Sequence, residues 1–197
     1  MTLQEKTAQA IWVGKSLFER GKVSGSAANL SFRHEGVVYI TASGSCFGTL
    51  TPENFVAIDQ QGKPCVEGTK PSKEWPLHLA LYEQPGVEAV LHTHSPFATL
   101  WSCLKHENVE DVFPPLTPYL KMRVGRVALV PFAQPGSEEL FRLFRERQSD
   151  TKCYLLERHG PVAGNKDLLQ AFYDIEELEE TARICWFYQQ TNPAYIK

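Results

Sequence analysis

No stretch of about 18 consecutive apolar residues occurs in the 197-residue chain, so no membrane-spanning helix is expected. A basic excess is missing too. Lysine and arginine number 20 against 23 aspartates and glutamates, a formal net charge of −3. Binders of phosphate-rich polymers usually carry the opposite balance, which argues against nucleic acid as a partner; a small anion needs only a local cluster of donors. Cysteine is scarce: Cys46, Cys65, Cys103, Cys153 and Cys185 are odd in number, scattered and never arranged as Cys-x-x-Cys. That pattern excludes a disulfide scaffold and predicts buried thiols in a reducing compartment. The opening residues 1–10 lack the basic segment followed by an apolar stretch that marks a secretory leader. Internal repeats and low-complexity linkers are absent as well. The expectation is a cytoplasmic globular protein.

What is present fits that picture. Apolar residues make up 43% of the chain and charged residues 22%, ordinary proportions for a soluble fold. A chain of this length buries roughly 70% of its unfolded surface, enough for a core without covalent staples. Ile11, Leu17 and Phe18 followed by Gly21 read as a helix with a glycine stop. Residues 24–33 are small and polar, a loop feeding a strand. Residues 37–41 and 54–59 are β-branched or aromatic runs bounded by turns, an antiparallel meander. Helical spacing takes over at 69–84, with Ser72 as N-cap and Pro76 tolerated in the first turn. A buried strand over 87–96 and a helix over 97–104 follow. Pro114, Pro115 and Pro118 predict an irregular loop over 112–119. A strand at 127–132, an amphipathic helix at 138–147 with Leu140, Leu143 and Phe144 inward, and a strand at 153–160 come next. The last helix, 167–188, places Leu168, Phe172, Ile175, Leu178, Ala182 and Cys185 on one stripe. Interleaved strands and helices make this a single α/β domain over residues 1–197.

The strongest chemical signal is His92-Thr93-His94. Residues two apart on a strand share a face, so both imidazoles can approach one point, and neutral imidazole is a common ligand of divalent transition ions. A pair at the mouth of a strand can also be incidental. His159, before Gly160-Pro161 at the end of another predicted strand, brings the total to three, the protein-ligand count of an open catalytic zinc site. Alone it would read as a surface turn residue; His34 in a polar hairpin, His78 on the Glu74 helix and His106 in a charged loop read as histidines with no part in the chemistry. Glu74 in the first turn of its helix is a helix-start charge or, beside a bound cation, a proton shuttle. Three small polar segments, at 28–31, 41–44 and 71–72, offer hydroxyls, an amide and backbone N–H groups of the kind a phosphate monoester needs. Each taken separately is ordinary turn chemistry.

Together these residues resemble the class II aldolase/adducin family. The likeness runs from about residue 10 to residue 188, through Asn29-x-Ser31, Thr41-x-Ser43-Gly44, Pro71-Ser72-x-Glu74, His92-x-His94 and His159-Gly160. The resemblance implies an α-β-α layered domain with a central, mainly antiparallel sheet flanked by helices. It implies that His92, His94 and His159 hold a divalent metal, usually zinc, with Glu74 both resting ligand and catalytic acid/base. Asn29, Ser43, Gly44 and Ser72 would form the phosphate site. A cyclic homotetramer is implied too, with Tyr119 carried to a neighbouring subunit's site on the proline-rich loop. The chain departs from the family pattern at Ala28, where glycine is usual, and at Lys73, where several sugar-phosphate aldolases have a second serine. Lys73 adds a cation suited to an extra anionic group on the substrate, such as a carboxylate.

Residues 70–82, 114–125 and 159–183 further resemble the branch that decarboxylates 3-oxo-tetronate 4-phosphate. The activity so implied is metal-dependent loss of CO2 through a metal-stabilised enediolate to give dihydroxyacetone phosphate. Lys73, Arg158 or Arg123 would orient the leaving carboxylate. One alternative is a sugar-phosphate aldolase or 4-epimerase of the fuculose-phosphate or ribulose-phosphate type. Another is a non-catalytic adducin-like binding module, which predicts lost ligands, whereas His92, His94, His159 and Glu74 are all present.

Overall fold

A computed structural model describes residues 1–191; residues 192–197 of the expected domain lie outside the described part. The chain runs α1 (Leu3–Glu19), β1 (Ala28–His34), β2 (Val37–Thr41), β3 (Phe55–Ile58), α2 (Trp75–Tyr82), β4 (Ala89–Thr93) and α3 (Pro96–Ser102). It continues with α4 (Pro118–Arg123), β5 (Val127–Val130), α5 (Glu138–Arg147), β6 (Cys153–Leu156), β7 (Gly160–Asn165) and α6 (Leu168–Gln190). All seven strands join one sheet in the order β3-β2-β1-β4-β7-β6-β5. Among the described residues only the β5–β6 pair is parallel, so the sheet is mainly antiparallel, as expected.

Alternation along the strands sorts side chains to two faces. On β4, Ala89 and Leu91 pack with α1, α3 and α6 through residues such as Leu17, Ala98 and Phe172. Val90 faces the other way, toward Leu77 and Leu81 of α2 and Phe144 of α5. Helices therefore cover both faces, the three-layer arrangement anticipated. The predicted α6 stripe is buried at all six positions. On α5, Leu140 and Phe144 are buried as predicted, Phe141 joins them, and Leu143 is only half-buried. Among the described residues no helix is long and apolar enough to cross a membrane.

Four expectations need correction. The polar segment at 28–31 is not a loop but the start of β1, paired to β2 and β4 on its two sides. The proline-rich segment turns helical at Pro118, since proline at a first helical position lacks only an N–H that has no partner there. Gly160-Pro161 opens β7 instead of closing a turn, with β4 and β6 as its neighbours. Of the thiols, Cys153 and Cys185 are buried, Cys46 is half-buried, and Cys65 and Cys103 are exposed.

Candidate active site

Three chain segments converge at one end of the sheet. β4 delivers His92 on its last turns of pleat and His94 just beyond Thr93. The following helix is held by a buried carboxylate: Glu179 of α6 accepts from the amides of Phe97 (3.1 Å) and Ala98 (2.7 Å). That fixes the chain directly after His94. His159 sits in the β6–β7 turn, closed by its own amide donating to the Leu156 carbonyl (3.0 Å), with Arg158 at φ 57°. Next to it Gly160 lies at φ 144°, and a Cβ there would come within 2.3 Å of the Thr93 carbonyl oxygen. Only glycine lets β7 begin so close to the end of β4.

Glu74 arrives from the opposite layer. It is the N-cap residue of α2, with no capping hydrogen bond from its side chain, and not a first-turn residue. Ser72 is therefore not the N-cap. A helix begun there would require the Pro76 nitrogen to donate to the Ser72 carbonyl, and proline has no N–H. Instead the Ser72 hydroxyl accepts from the Glu74 amide (3.4 Å). Free of capping duty, the Glu74 carboxylate reaches the histidines: Oε2 is 3.4 Å from His92 Nε2 and Oε1 is 3.3 Å from His159 Nε2.

Several of the atoms that meet here offer lone pairs. His92 Nδ1 lies 2.9 Å from the Pro161 carbonyl, which can only accept, so its proton sits on Nδ1 and Nε2 offers a lone pair. That Nε2 lies 3.3 Å from His159 Nε2. Burial lowers the His92 pKa well below its ordinary value, helped by His94; burial likewise lowers His94, and lowers His159 to about 3 with His92 adding to the effect. The rings are thus neutral at pH 7, and their contacts with Glu74 are not ion pairs. Glu74 Oε1 and His159 Nδ1 are buried without a hydrogen-bond partner among the described residues. Ligand atoms of His92, His94 and His159 all lie within 4.8 Å of one another. Two nitrogens on a tetrahedral ion with bonds of about 2.0–2.1 Å stand roughly 3.4 Å apart, close to the His92–His159 spacing. The cluster fits a divalent cation.

A cleft of about 380 Å³ opens onto this cluster, lined by Asn29, Ser43, Gly44, Ser72 and Lys73 as well as Glu74, His94 and His159. His92, fully buried, lies behind. The two loops on its rim are zipped together: Ser43 N donates to the Lys70 carbonyl and Ser72 N to the Thr41 carbonyl, each at 2.9 Å. Those amides are spent, leaving the hydroxyls and the exposed Gly44, at φ 81°, to face the cleft. Asn29 lies opposite His92 in the β1–β4 register. Its Nδ2 donates to Glu74 Oε2 (2.9 Å), leaving one N–H for another acceptor.

Other expected participants are elsewhere. Arg123 is committed to Asp174 (3.2 Å) and Gln170 (3.0 Å) and lines a separate hollow with Arg20 and Tyr173. Arg158 is stacked over Phe132 and does not line the cleft. Tyr119, 64% exposed in the first turn of α4, is not on the cleft of its own chain either. Two residues bear on the site that the sequence alone does not mark as functional, Glu179 and His78. Glu179 was hidden inside an acidic run, although it follows Leu178 on the buried stripe. His78 is fully buried behind Glu74; its signal was the four-residue spacing from Glu74, which places both on one side of a helix.

The sequence model described as Class II Aldolase and Adducin N-terminal domain matches residues 8–186. The chain is 38% identical over 195 residues to the 3-oxo-tetronate 4-phosphate decarboxylase of Pectobacterium atrosepticum, covering 98% of this chain and 89% of that one. It is 34% identical to the L-fuculose phosphate aldolase of Methanococcus maripaludis strain S2, covering 88% and 92%. The crystal structure of YgbL from Klebsiella pneumoniae superimposes with a TM-score of 0.92 at 36% identity, over all of this chain and 94% of that one.

Proposed function

The chain belongs to the class II aldolase and adducin N-terminal domain family, and from that premise we propose that it is a carbon–carbon lyase releasing CO2 from a 3-oxo-tetronate 4-phosphate. The observation that carries this reading is the meeting of three neutral imidazoles and Glu74 on a cleft whose rim is built from anion-binding groups. The decarboxylase relative from Pectobacterium atrosepticum supports the choice of substrate.

His92, His94 and His159 would hold a divalent ion, zinc being the natural choice for an all-imidazole set, with Glu74 beside it. When bound, the ion supplies a Lewis acid for negative charge developing on the substrate's oxygens. Ser43, Ser72 and the Gly44 backbone would receive the phosphate, with the spare Asn29 N–H as an additional donor. Lys73, exposed at the cleft, would attract the C1 carboxylate. Breaking the C1–C2 bond sends its electron pair to C2, conjugated with the C3 ketone as an enediolate. Protonation at C2 then gives dihydroxyacetone phosphate. Glu74, at the cluster's edge and unencumbered by capping, is the group placed to deliver that proton, replenished from solvent.

A homotetramer belongs to the same proposal. The exposed Tyr119 would then serve a neighbouring subunit's cleft, which light scattering and Tyr119→Phe kinetics would examine. The reaction itself is tested by supplying D- and L-3-oxo-tetronate 4-phosphate and, separately, L-fuculose 1-phosphate. CO2 and dihydroxyacetone phosphate in equal amounts from one of the acids bear it out. Aldehyde from the fuculose ester with no CO2 from either acid would make the chain an aldolase.

A further inference from the structure

Behind Glu74 the apolar layer between α2 and the sheet is crossed by a chain of polar groups. Asn29 Oδ1 lies 2.5 Å from His78 Nε2, His78 Nδ1 lies 2.7 Å from Ser31 Oγ, and Ser31 Oγ lies 2.7 Å from the Tyr82 hydroxyl. Ser31 and His78 are fully buried, Tyr82 and Asn29 almost so, among Leu77, Leu81, Ile40 and Val90. The far end is clamped: the Arg33 guanidinium stacks 4.5 Å above the Tyr82 ring and donates to the Tyr82 carbonyl (3.1 Å).

Chemistry orders this chain in one direction. The carboxylate can only accept, so the Asn29 amide must turn its NH2 toward Glu74 and its oxygen toward His78. That oxygen can only accept, which puts the His78 proton on Nε2. Nδ1 is then an acceptor for the Ser31 hydroxyl, and Ser31 accepts in turn from Tyr82. Burial keeps the ring neutral, its pKa lowered to about 3, and pushes Tyr82 up so that it stays a phenol. Flipping the amide would set its oxygen 2.9 Å from Glu74 Oε2, acceptor against acceptor.

We infer that His78, backed by Ser31 and Tyr82, is a positioning residue that locks the Asn29 amide so that its N–H holds Glu74 against the metal-ligating histidines. The assignment of Glu74 as acid/base rests on the function proposed above; the direction of the relay does not. An aliphatic or aromatic side chain at 78 would suit this apolar layer, but would leave Asn29 free to rotate.

The test combines a spectrum with a mutant cycle on the metal-loaded protein. In 15N-labelled protein, the His78 signal, identified by its loss in His78→Gln, is expected to show Nε2 protonated and Nδ1 bare. A protonated Nδ1 overturns the relay. His78→Phe is expected to lower kcat for CO2 release by about tenfold or more with KM within about twofold, and His78→Gln, which keeps an N–H near the Nε2 position, to recover most of that loss. The double variant Asn29→Ala/His78→Phe should be no slower than Asn29→Ala alone within about twofold. Independent, multiplying losses, or equal damage from Gln and Phe, would leave His78 a packing residue only. Should His78→Phe not fold, Ser31→Ala takes its place in the same cycle. If the wild-type protein releases no CO2, the proposed function fails and the imidazole spectrum alone judges the relay.

Discussion

The carbonyl of Pro161 decides which nitrogen His92 can offer. By taking the Nδ1 proton at 2.9 Å it leaves Nε2 bare beside His159 and Glu74. Glu74→Gln keeps the shape of that corner but removes the basic oxygen. Turnover should fall by about 100-fold or more, with the melting temperature within a few degrees of the parent; unchanged turnover would remove Glu74 from the chemistry. A pH dependence follows from His78, whose pKa burial lowers from 6.5 to about 3. The folded state binds its proton more weakly than the unfolded chain does. Its contribution to stability is therefore present in full above pH 6.5 and is lost as the pH falls toward 3. Urea midpoints of the metal-free protein at pH 7, 5 and 4 should decline in that order, and a flat series would contradict the buried neutral ring. Of these residues, His92 and His94 were legible in the sequence, because a strand repeats every two residues whatever it packs against. His78 was not. Its role depends on Asn29 standing across from His92, a register that two separate strand segments do not announce.

Between elements, the site depends on two joints. β7 can start beside the end of β4 only because Gly160 has no Cβ. Gly160→Ala sets a methyl against a backbone carbonyl at an unfavourable φ and should cost at least about 2 kcal/mol in unfolding free energy, with loss of metal affinity. A stable, metal-binding variant would show that the strands can part without harm. At the second joint, Glu179→Ala strands the Phe97 and Ala98 amides and should cost roughly 2–4 kcal/mol, since a buried donor left alone forfeits its desolvation. Differential scanning calorimetry separates this from a surface-charge effect, which would be under about 0.5 kcal/mol. Elements with a clear period were readable from the chain: α5 and α6 match the amphipathic segments closely. Elements built on glycine and proline were not. Gly160-Pro161 reads as a turn, yet β4 and β6 on either side hold it in the sheet. Pro118 reads as loop, yet it sits where a helix can use it. The N-cap assignment failed for a related reason, a missing N–H at Pro76 that moves the helix start to Glu74.

At the scale of the whole molecule, a three-layer fold brings residues from β1, α2, β4 and the β6–β7 turn to a single end of one sheet, where lone pairs of His92 and Glu74 converge in a geometry that fits a cation. Removing that cation should lower the melting temperature, because a ligand bound only to the folded state adds its binding free energy to stability. The same cation should be required for turnover, so both properties ought to return together as metal is restored. The most direct measurement is CO2 release from 3-oxo-tetronate 4-phosphate followed while a chelated, metal-free preparation is titrated with zinc. Activity that is absent at the start and rises to a plateau at one zinc per chain is the predicted result. CO2 release that persists undiminished in the fully chelated protein would contradict it.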